Sequence, residues 1–387
     1  MVDYPNQLSL FQQDSAQNTL DSQLWRGSFN GRESTFQQLS PYVGKMKSGM
    51  AKALIELYTK PNDIVLDPFS GSGVVPFEAA LHERQAWAND LSFYAYVLTR
   101  GKLEAPRTLQ SALEEGHEIL KIVERESPYT DVTDVPEWVR EFFHPDTLKE
   151  VVVTFRLLRE RENYFLLACL LGILHHVRPG FLSYPASHLV PYLRKSKYPP
   201  EEFPDMYQYR DVRSRLMAKI QRAYRRQLLP QNWGDVPHKV VMANAMSLPL
   251  EGKSVDAIIS SPPYFGALDY ARDNRLRLWF LGVQDWKELD ASLTASSKVY
   301  LPQMKECLQE MYRVLKPGSP CILVLGDVER NGNTRNTAQM LSEVALEMSE
   351  HKFAIDSIYT DHIPDDRRSR RKTKTTKFER ILVMYKK

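Results

Sequence analysis

Cysteine, glycine and long apolar runs are all scarce in this sequence of 387 residues. The three cysteines, Cys169, Cys307 and Cys321, lie far from one another and from any spaced histidine, which excludes a disulfide framework and a zinc-finger pattern. The 17 glycines exclude a collagen-like chain, and a 43% hydrophobic share excludes disorder throughout. We expect a soluble, cytoplasmic globular protein with reduced thiols and two or three domains.

We also expect neither a secretory signal nor a membrane span. The first residues, MVDYPNQLSLFQQD, lack the basic and apolar regions of a signal peptide. The longest apolar stretch, residues 165–177, is too short to cross a bilayer and contains two histidines. The formal net charge of +3 says little about partners, so the distribution of the charges has to be considered.

The hydrophobic pattern predicts an α/β domain that is interrupted by helices. A short strand at 64–66 precedes a glycine turn, a helical segment and a second strand at 85–88, which is typical of a parallel sheet. Residues 104–150 hold 12 acidic and 5 basic residues and favour helix. We also predict a helix within 40–60 and another at 301–315, and strands at 239–242, 255–259, 321–325, 354–359 and 380–385.

These patterns divide the chain into four parts. Residues 1–25 form a polar, flexible arm, and 26–104 form the first half of the sheet domain. A mainly helical insertion, the candidate recognition region, covers 105–235, and 236–387 form the second half of the sheet domain.

The first motif with chemical meaning is the glycine turn Asp67-Pro68-Phe69-Ser70-Gly71-Ser72-Gly73. Its two glycines let a ligand approach the backbone at the point where a strand turns into its helix. Asp90 ends the next strand, 23 residues after Asp67, a spacing that suits a carboxylate accepting both hydroxyls of a ribose. A turn that is needed only for helix packing is the alternative, and the lack of a third glycine disfavours NAD.

The second motif, Ser261-Pro262-Pro263-Tyr264, follows the strand that ends near Ser260. The Ser261 hydroxyl and the Pro262 carbonyl can accept hydrogen bonds from one amino group, and Tyr264 can stack on a planar base. Such acceptors orient a weakly nucleophilic exocyclic amine and stabilise the charge that develops on it. A rigid Pro-Pro turn with no chemical role is the alternative.

Together the motifs resemble S-adenosylmethionine-dependent DNA amino-methyltransferases, of the N4-cytosine and N6-adenine family with an SPPY motif. DPFSGSG resembles their cofactor motif, SPPYFGALDYARDNRLRLWFLG their catalytic motif and following helix, and RVLKPGSPCILVLGD a later helix and strand. The resemblance runs from about Leu39 to Lys387 and implies a doubly wound, mostly parallel, seven-stranded sheet with a largely helical insertion. The insertion precedes the adenine-side strand, which departs from the usual order.

The resemblance also implies roles for individual residues. S-adenosylmethionine would contact Asp67, Pro68, Phe69, Gly71 and Gly73 with its methionine part and Asp90 with its ribose. Asn244 stands where relatives have an acidic residue near the adenine. The segment LSPYVGKMKSGM resembles the preceding helix and makes Tyr42 and Lys45 candidates for the cofactor carboxylate. Catalysis is assigned to Ser261, Pro262, Pro263 and Tyr264, and no metal is implied.

Two basic runs are candidates for contacts with double-stranded DNA, although a charge run is also typical of a solvated face. The acidic residues before Glu150 are expected to face away from that DNA. The candidate residues are Arg213, Arg215, Arg222, Arg225 and Arg226 in the first run, and Arg367, Arg368, Arg370, Arg371 and Lys372 in the second.

A short apolar motif lies in the polar N-terminal arm. Gln7-Leu8-Ser9-Leu10-Phe11 resembles the peptide by which bacterial DNA-processing proteins bind the replication sliding clamp. The alternative is an arm that folds back on its own domain.

The sequence therefore predicts methyl transfer to the amino group of a flipped DNA base, with N4 of cytosine preferred. An N6-adenine enzyme, an RNA guanine methyltransferase and a non-enzymatic DNA-binding protein remain alternatives.

Overall fold

The computed structural model describes residues 33–42, 44–175, 181–183, 198–263, 272, 274–285, 299–330, 333–348, 353–362 and 378–387. Four predicted sites lie outside these residues. They are the arm with Gln7–Phe11, Tyr264, Arg367–Arg368 and Arg370–Lys372.

A seven-stranded sheet in the order β3-β2-β1-β4-β5-β9-β8 forms the centre of the molecule. Strands β1 to β5 pair in parallel, and β9 runs antiparallel to both β5 and β8. The prediction of a mostly parallel, doubly wound sheet is thereby confirmed. The strands are β1 Ile64–Asp67, β2 Gln85–Asn89, β3 Lys239–Val241, β4 Ala257–Ser260, β5 Pro320–Gly326, β8 Phe353–His362 and β9 Phe378–Lys386, with β6 Val328–Arg330 and β7 Asn333–Arg335 paired separately.

Helices pack on the sheet and account for much of the described chain between β2 and β3. Local capping begins several of them: Thr108 accepts from the Ser111 amide and Asp211 from the Ser214 amide. No helix among the described residues is long and apolar enough to cross a membrane. The helices are α1 Ser48–Tyr58, α2 Val74–Leu81, α3 Phe93–Leu103, α4 Leu109–Glu126, α5 Glu137–Arg140, α6 Pro145–Glu160, α7 Tyr164–Leu174, α8 Val212–Ala223, α9 Arg275–Phe280, α10 Tyr300–Val314 and α11 Thr337–Glu347.

The segment before β1 differs from its prediction. The helical spacing indicates a helix from about Ser40, but α1 begins at Ser48. The Tyr94 hydroxyl donates to the Pro41 carbonyl at 2.6 Å and is bonded to the Ser40 hydroxyl at 2.7 Å. Gly44 has a φ of 76°, which a right-handed helix excludes. These contacts and this backbone conformation keep the helix from starting before Ser48.

One hydrophobic core joins Phe36 and the helices α2 and α3 to the helices that follow them in the chain. Phe36, Phe77 and Leu98 belong to the same buried cluster as Leu167 and Leu216 of the helical region. A buried arginine adds a polar connection between α9 and α7. This residue is Arg277. Its Nε donates to the Leu171 carbonyl at 3.1 Å, and its Nη2 donates to the His175 carbonyl at 2.5 Å. The helical region therefore shares a core with α2 and α3, the helices that follow β1 and β2.

Candidate active site

A cleft lies at the carboxyl ends of β1, β2 and β4, where doubly wound sheets bind their ligands. Most of the predicted catalytic and cofactor-binding residues meet here. The predicted site residues on its wall are Tyr42, Lys45, Asp67, Pro68, Phe69, Gly71, Asp90, Asn244, Ser261 and Pro263. The cofactor motif and the catalytic motif, nearly two hundred residues apart in sequence, thus share one cleft.

The glycine turn connects β1 to α2 through two left-handed residues. Gly71 has a φ of 50°, and a Cβ there would lie 3.1 Å from Cε1 of Tyr42. Gly73 has a φ of 73°, and a Cβ there would lie 2.9 Å from the Cα of Thr99 on α3. Gly73 does not line the cleft among the described residues, so its small size serves the packing of α2 on α3. Of these two glycines, Gly71 is the one that lines the cleft, where a side chain would narrow it.

Asp67 is buried at the end of β1 and is held from two sides. Its Oδ1 accepts from the Ser260 hydroxyl at 2.5 Å and from the Phe69 amide at 3.1 Å. Burial raises the pKa of Asp67 to about 7, although these two hydrogen bonds oppose the rise. The hydrogen bond from Ser260 joins the cofactor loop to the residue that precedes the catalytic motif.

Asp90 holds the glycine turn from the neighbouring strand. It accepts from the Gly71 amide through Oδ2 and from the Ser92 amide through Oδ1, both at 2.9 Å. Burial raises the pKa of this carboxyl, against the effect of the backbone donors. Each carboxylate oxygen has a second acceptor site, so the carboxylate can still bind ligand hydroxyls.

Asn89 was not singled out by sequence, yet it connects three loops at the cleft. Its side chain donates to the Pro68 carbonyl at 3.1 Å and accepts from the Ala243 amide at 3.0 Å. The neighbouring Asn244 is exposed on the cleft wall, and its Oδ1 accepts from the Met246 amide at 3.0 Å. Asn89 thereby sets where the predicted adenine-side residue lies.

Tyr42, Gly44, Lys45 and Met46 form a further wall, and Lys45 is held by residues that precede it in the chain. Lys45 Nζ donates to the Gln37 carbonyl at 2.7 Å and to Glu33 at 3.4 Å. The Gln37 side chain in turn bonds Glu78 at 2.8 Å and accepts from Lys102 at 2.6 Å. Burial raises the pKa of Glu78 to about 7. Burial and the charge of Lys45 lower the pKa of Lys102 well below its usual value.

The catalytic motif is described up to Pro263. Ser261 and Pro263 line the cleft, whereas Pro262 is buried beside them. Position 264, the predicted stacking tyrosine, lies outside the described residues. The part that the structure describes therefore places one hydroxyl acceptor, Ser261, at the same cleft as the glycine turn.

The cleft fits the cofactor that the sequence predicts. The Ser72 hydroxyl lies on its wall, is buried, and has no hydrogen-bond partner among the described residues, as expected of a group that a ligand completes. A Cβ on Gly71 would narrow the cleft against Tyr42. Ser72 and Ser260 lie within the two motifs, but the sequence assigned a role neither to them nor to Asn89 and Asn274, which also line the cleft. A single serine or asparagine carries no signal without its neighbours in space.

The first basic run is largely engaged within the chain. Arg213 pairs with Glu124, and Arg215 pairs with Asp211 at 3.1 Å. The acidic helix α4 packs directly on α8, and its Glu124 is the partner of Arg213. That the acidic residues before Glu150 face away from DNA stays a prediction. Arg222 donates to the Gln38 side chain at 3.2 Å, and Arg222, Arg225 and Arg226 are exposed.

Comparisons with known proteins agree with the motifs. The family model described as DNA methylase, for N6- and N4-methyltransferases, matches residues 10–98. A comparison with curated proteins gave no match. The match to the family model confirms the resemblance to S-adenosylmethionine-dependent DNA amino-methyltransferases, and S-adenosylmethionine is the cofactor.

Solved structures resemble the chain only distantly. TrmN from Thermus thermophilus is 13% identical, with 91% of this chain and 52% of TrmN covered and a TM-score of 0.36. A methyltransferase from Methanosarcina mazei is 12% identical over 86% of this chain and 96% of its own, with a TM-score of 0.36. A candidate DNA modification methylase from Thermus thermophilus is 19% identical over 37% of this chain and 51% of its own, with a TM-score of 0.24. The chain thus spans about half the length of TrmN.

Proposed function

We propose that this S-adenosylmethionine-dependent methyltransferase acts on double-stranded DNA. It would transfer the methyl group to the exocyclic amino group of a flipped base, with N4 of cytosine preferred. The observation that supports the proposal most is that Ser261 and Pro263 line the same cleft as Gly71 and Asp90. A base amine held at Ser261 would then lie beside the cofactor site.

The residues of the chain would position the amine and stabilise the charge that develops on it, since the reaction needs no covalent enzyme intermediate. Bound S-adenosylmethionine supplies an electrophilic methyl group on a sulfonium. The Ser261 hydroxyl would accept a hydrogen bond from the amine and orient its lone pair, and this acceptor would stabilise the positive charge that develops on nitrogen. A new N–C bond forms as the S–C bond breaks, and the extra proton leaves the nitrogen for solvent. Tyr264 would stack on the extruded base.

DNA binding would rest on the exposed cations. Arg222, Arg225 and Arg226 are the exposed members of the first run, and the second run, with Arg367, Arg368, Arg370, Arg371 and Lys372, would add further phosphate contacts. Residues Gln7 to Phe11 would bind the replication sliding clamp and keep the enzyme near newly made DNA. Loss of clamp binding on replacing Leu10 and Phe11 with Ala, with oligonucleotide methylation kept, is the expected result.

The test is methylation in vitro with radiolabelled S-adenosylmethionine and either duplex DNA or RNA. Digestion to nucleosides and mass spectrometry then distinguish N4-methylcytosine, N6-methyladenine and methylguanosine. Label in N4-methylcytosine from DNA supports the proposal, and label in N6-methyladenine supports the adenine alternative. Label only in RNA would contradict the proposed substrate, and cofactor binding with no transfer to any nucleic acid would leave the non-enzymatic alternative.

A further inference from the structure

The buried ion pairs of Lys47 have no role in the predictions from sequence. Lys47 Nζ donates to Oδ2 of Asp361 at 2.5 Å and lies 2.9 Å from Oε2 of Glu379. The lysine is only 8% exposed. Burial lowers the pKa of Lys47, but the charge of Glu379 and the hydrogen bond to Asp361 raise it above its usual value, so the amine stays charged.

The two acids are fixed by the sheet. Asp361 on β8 and Glu379 on β9 are directly opposite each other in the antiparallel ladder. The next residue, Arg380, donates to Asp327 at the end of β5 at 2.8 Å and 3.0 Å, and to the Thr360 hydroxyl at 2.5 Å. Two like charges placed opposite each other destabilise a strand pair unless a cation lies between them, and Lys47 is that cation.

On its other side, Lys47 ends the segment that forms a wall of the cleft. Tyr42, Lys45 and Met46 line the cleft, and Tyr94 holds the start of the same segment at Ser40 and Pro41. The described residues among 40–47 are not helical, so their path depends on side-chain attachments, which are made by Tyr94, Lys45 and Lys47. Lys47 is the attachment at the end of the segment.

We propose that Lys47 is a positioning residue of the cofactor site, acting through the segment that carries Tyr42, Lys45 and Met46. Its ion pairs with Asp361 and Glu379 hold that segment against the sheet at the spacing that the cofactor needs. Loss of the pairs would let the wall move, and the cost would fall on cofactor affinity rather than on the chemical step at Ser261. The inference rests on the cofactor site and not on DNA being the substrate.

The test compares Lys47→Met, Lys47→Arg and Asp361→Asn with the control Lys52→Met. Lys52 lies on α1, the helix that Lys47 precedes, with a side chain 51% exposed and an ion pair to Glu56. Calorimetric titration of the full-length protein with S-adenosylhomocysteine measures cofactor-site affinity without any turnover. We expect Kd to rise about tenfold in Lys47→Met and to return to within about threefold of wild type in Lys47→Arg. Lys52→Met should match wild type.

Steady-state kinetics provide a second readout. KM for S-adenosylmethionine should rise with Kd in Lys47→Met, while kcat at saturating cofactor stays within about threefold of wild type. Should Lys47→Met fail to fold, the milder Asp361→Asn decides, since it keeps an acceptor and removes one charge. Unchanged Kd in folded Lys47→Met or Asp361→Asn, or a loss confined to kcat, would overturn the inference. Failure of the wild type to methylate DNA would refute the proposed substrate and leave the Kd comparison valid.

Discussion

The Ser260 hydroxyl donates to Oδ1 of Asp67 at 2.5 Å, across the carboxyl ends of β4 and β1. This hydrogen bond lowers the pKa of Asp67 against a larger rise caused by burial, and the nearby charge of Asp90 adds to that rise. The pKa of Asp67, in the cofactor loop, therefore depends on Ser260, the residue that precedes the catalytic motif.

The first prediction concerns Ser260→Ala. Without the hydroxyl donor the pKa of Asp67 should rise further above about 7. We expect the ionised form to hold the loop, because a carboxylate is the stronger acceptor for the Phe69 amide. The rise of kcat/KM with pH should then shift to higher pH, with activity at pH 7 reduced roughly tenfold. The control is Ser254→Ala, since the Ser254 hydroxyl donates a hydrogen bond to the Glu251 carbonyl. A pH profile of Ser260→Ala that superimposes on the profile of this control would contradict the prediction.

The second prediction compares two glycines with positive φ. Gly71 and Gly318 have φ values of 50° and 76°, but only at Gly71 would a Cβ meet a neighbour, Tyr42 at 3.1 Å. Gly71→Ala and Gly318→Ala should lose similar stability from backbone strain, about 1 kcal/mol. Only Gly71→Ala should weaken S-adenosylmethionine binding, by about tenfold in calorimetry. Equal affinities for S-adenosylmethionine in the two folded variants would show that Gly71 does not belong to the cofactor site.

The third prediction concerns the acceptor at Ser261. Ser261→Ala should lower kcat by about 10²-fold or more, since an oriented polar group at the reacting centre contributes a few kcal/mol to transition-state stabilisation. Cofactor affinity should stay within about threefold of wild type. The exposed Ser247 gives the control, and Ser247→Ala should retain full activity. Near-normal turnover in Ser261→Ala would place the chemistry elsewhere.

The fourth prediction is a pH dependence of stability. Burial raises the pKa of Glu78 from 4.5 to about 7, so the folded state binds this proton more tightly than the unfolded state does. The contribution of Glu78 to the free energy of unfolding is therefore greatest below pH 4.5 and falls as pH rises to about 7. Glu78→Gln keeps an acceptor for Gln37 and removes the titration. Relative to this variant, wild type should lose about 3 kcal/mol between pH 4.5 and 7, at about 1.4 kcal/mol for each pKa unit.

Denaturant unfolding at several pH values measures this difference. Parallel curves of unfolding free energy against pH for wild type and Glu78→Gln would show that Glu78 has an ordinary pKa.

The fifth prediction distinguishes free from engaged arginines on and after α8. Arg225 is exposed and has no side-chain partner among the described residues, whereas Arg213 pairs with Glu124. Arg225→Ala should weaken DNA binding and reduce the salt dependence of log K by about one. Arg213→Ala should leave the salt dependence nearly unchanged. The reverse order in fluorescence anisotropy titrations would show that the ion pair with Glu124 opens on DNA.

The sequence predicted the sheet well because its strands are short apolar runs bounded by glycine, proline and polar residues. It predicted β4 to start at Val255, but that residue forms only an isolated bridge to Leu315. It assigned no role to Ser260 or Lys47. Their roles depend on the partners Asp67 and Asp361, which lie far away in the sequence. Contacts of this kind have no local periodicity, so no pattern within one segment indicates them.

The core that α2 and α3 share with the later helices limits how this protein can be re-engineered. Phe36, Phe77 and Leu98 bury their surfaces against Leu167 and Leu216, and Arg277 joins α9 to the end of α7. Excising the helical region would expose this apolar face and leave a guanidinium without its carbonyl acceptors. An exchange of target specificity with a relative, made by swapping residues 105–235 alone, would therefore replace one side of this core and keep the other. A soluble chimera requires that the facing sides of α2, α3 and α9 be exchanged with it.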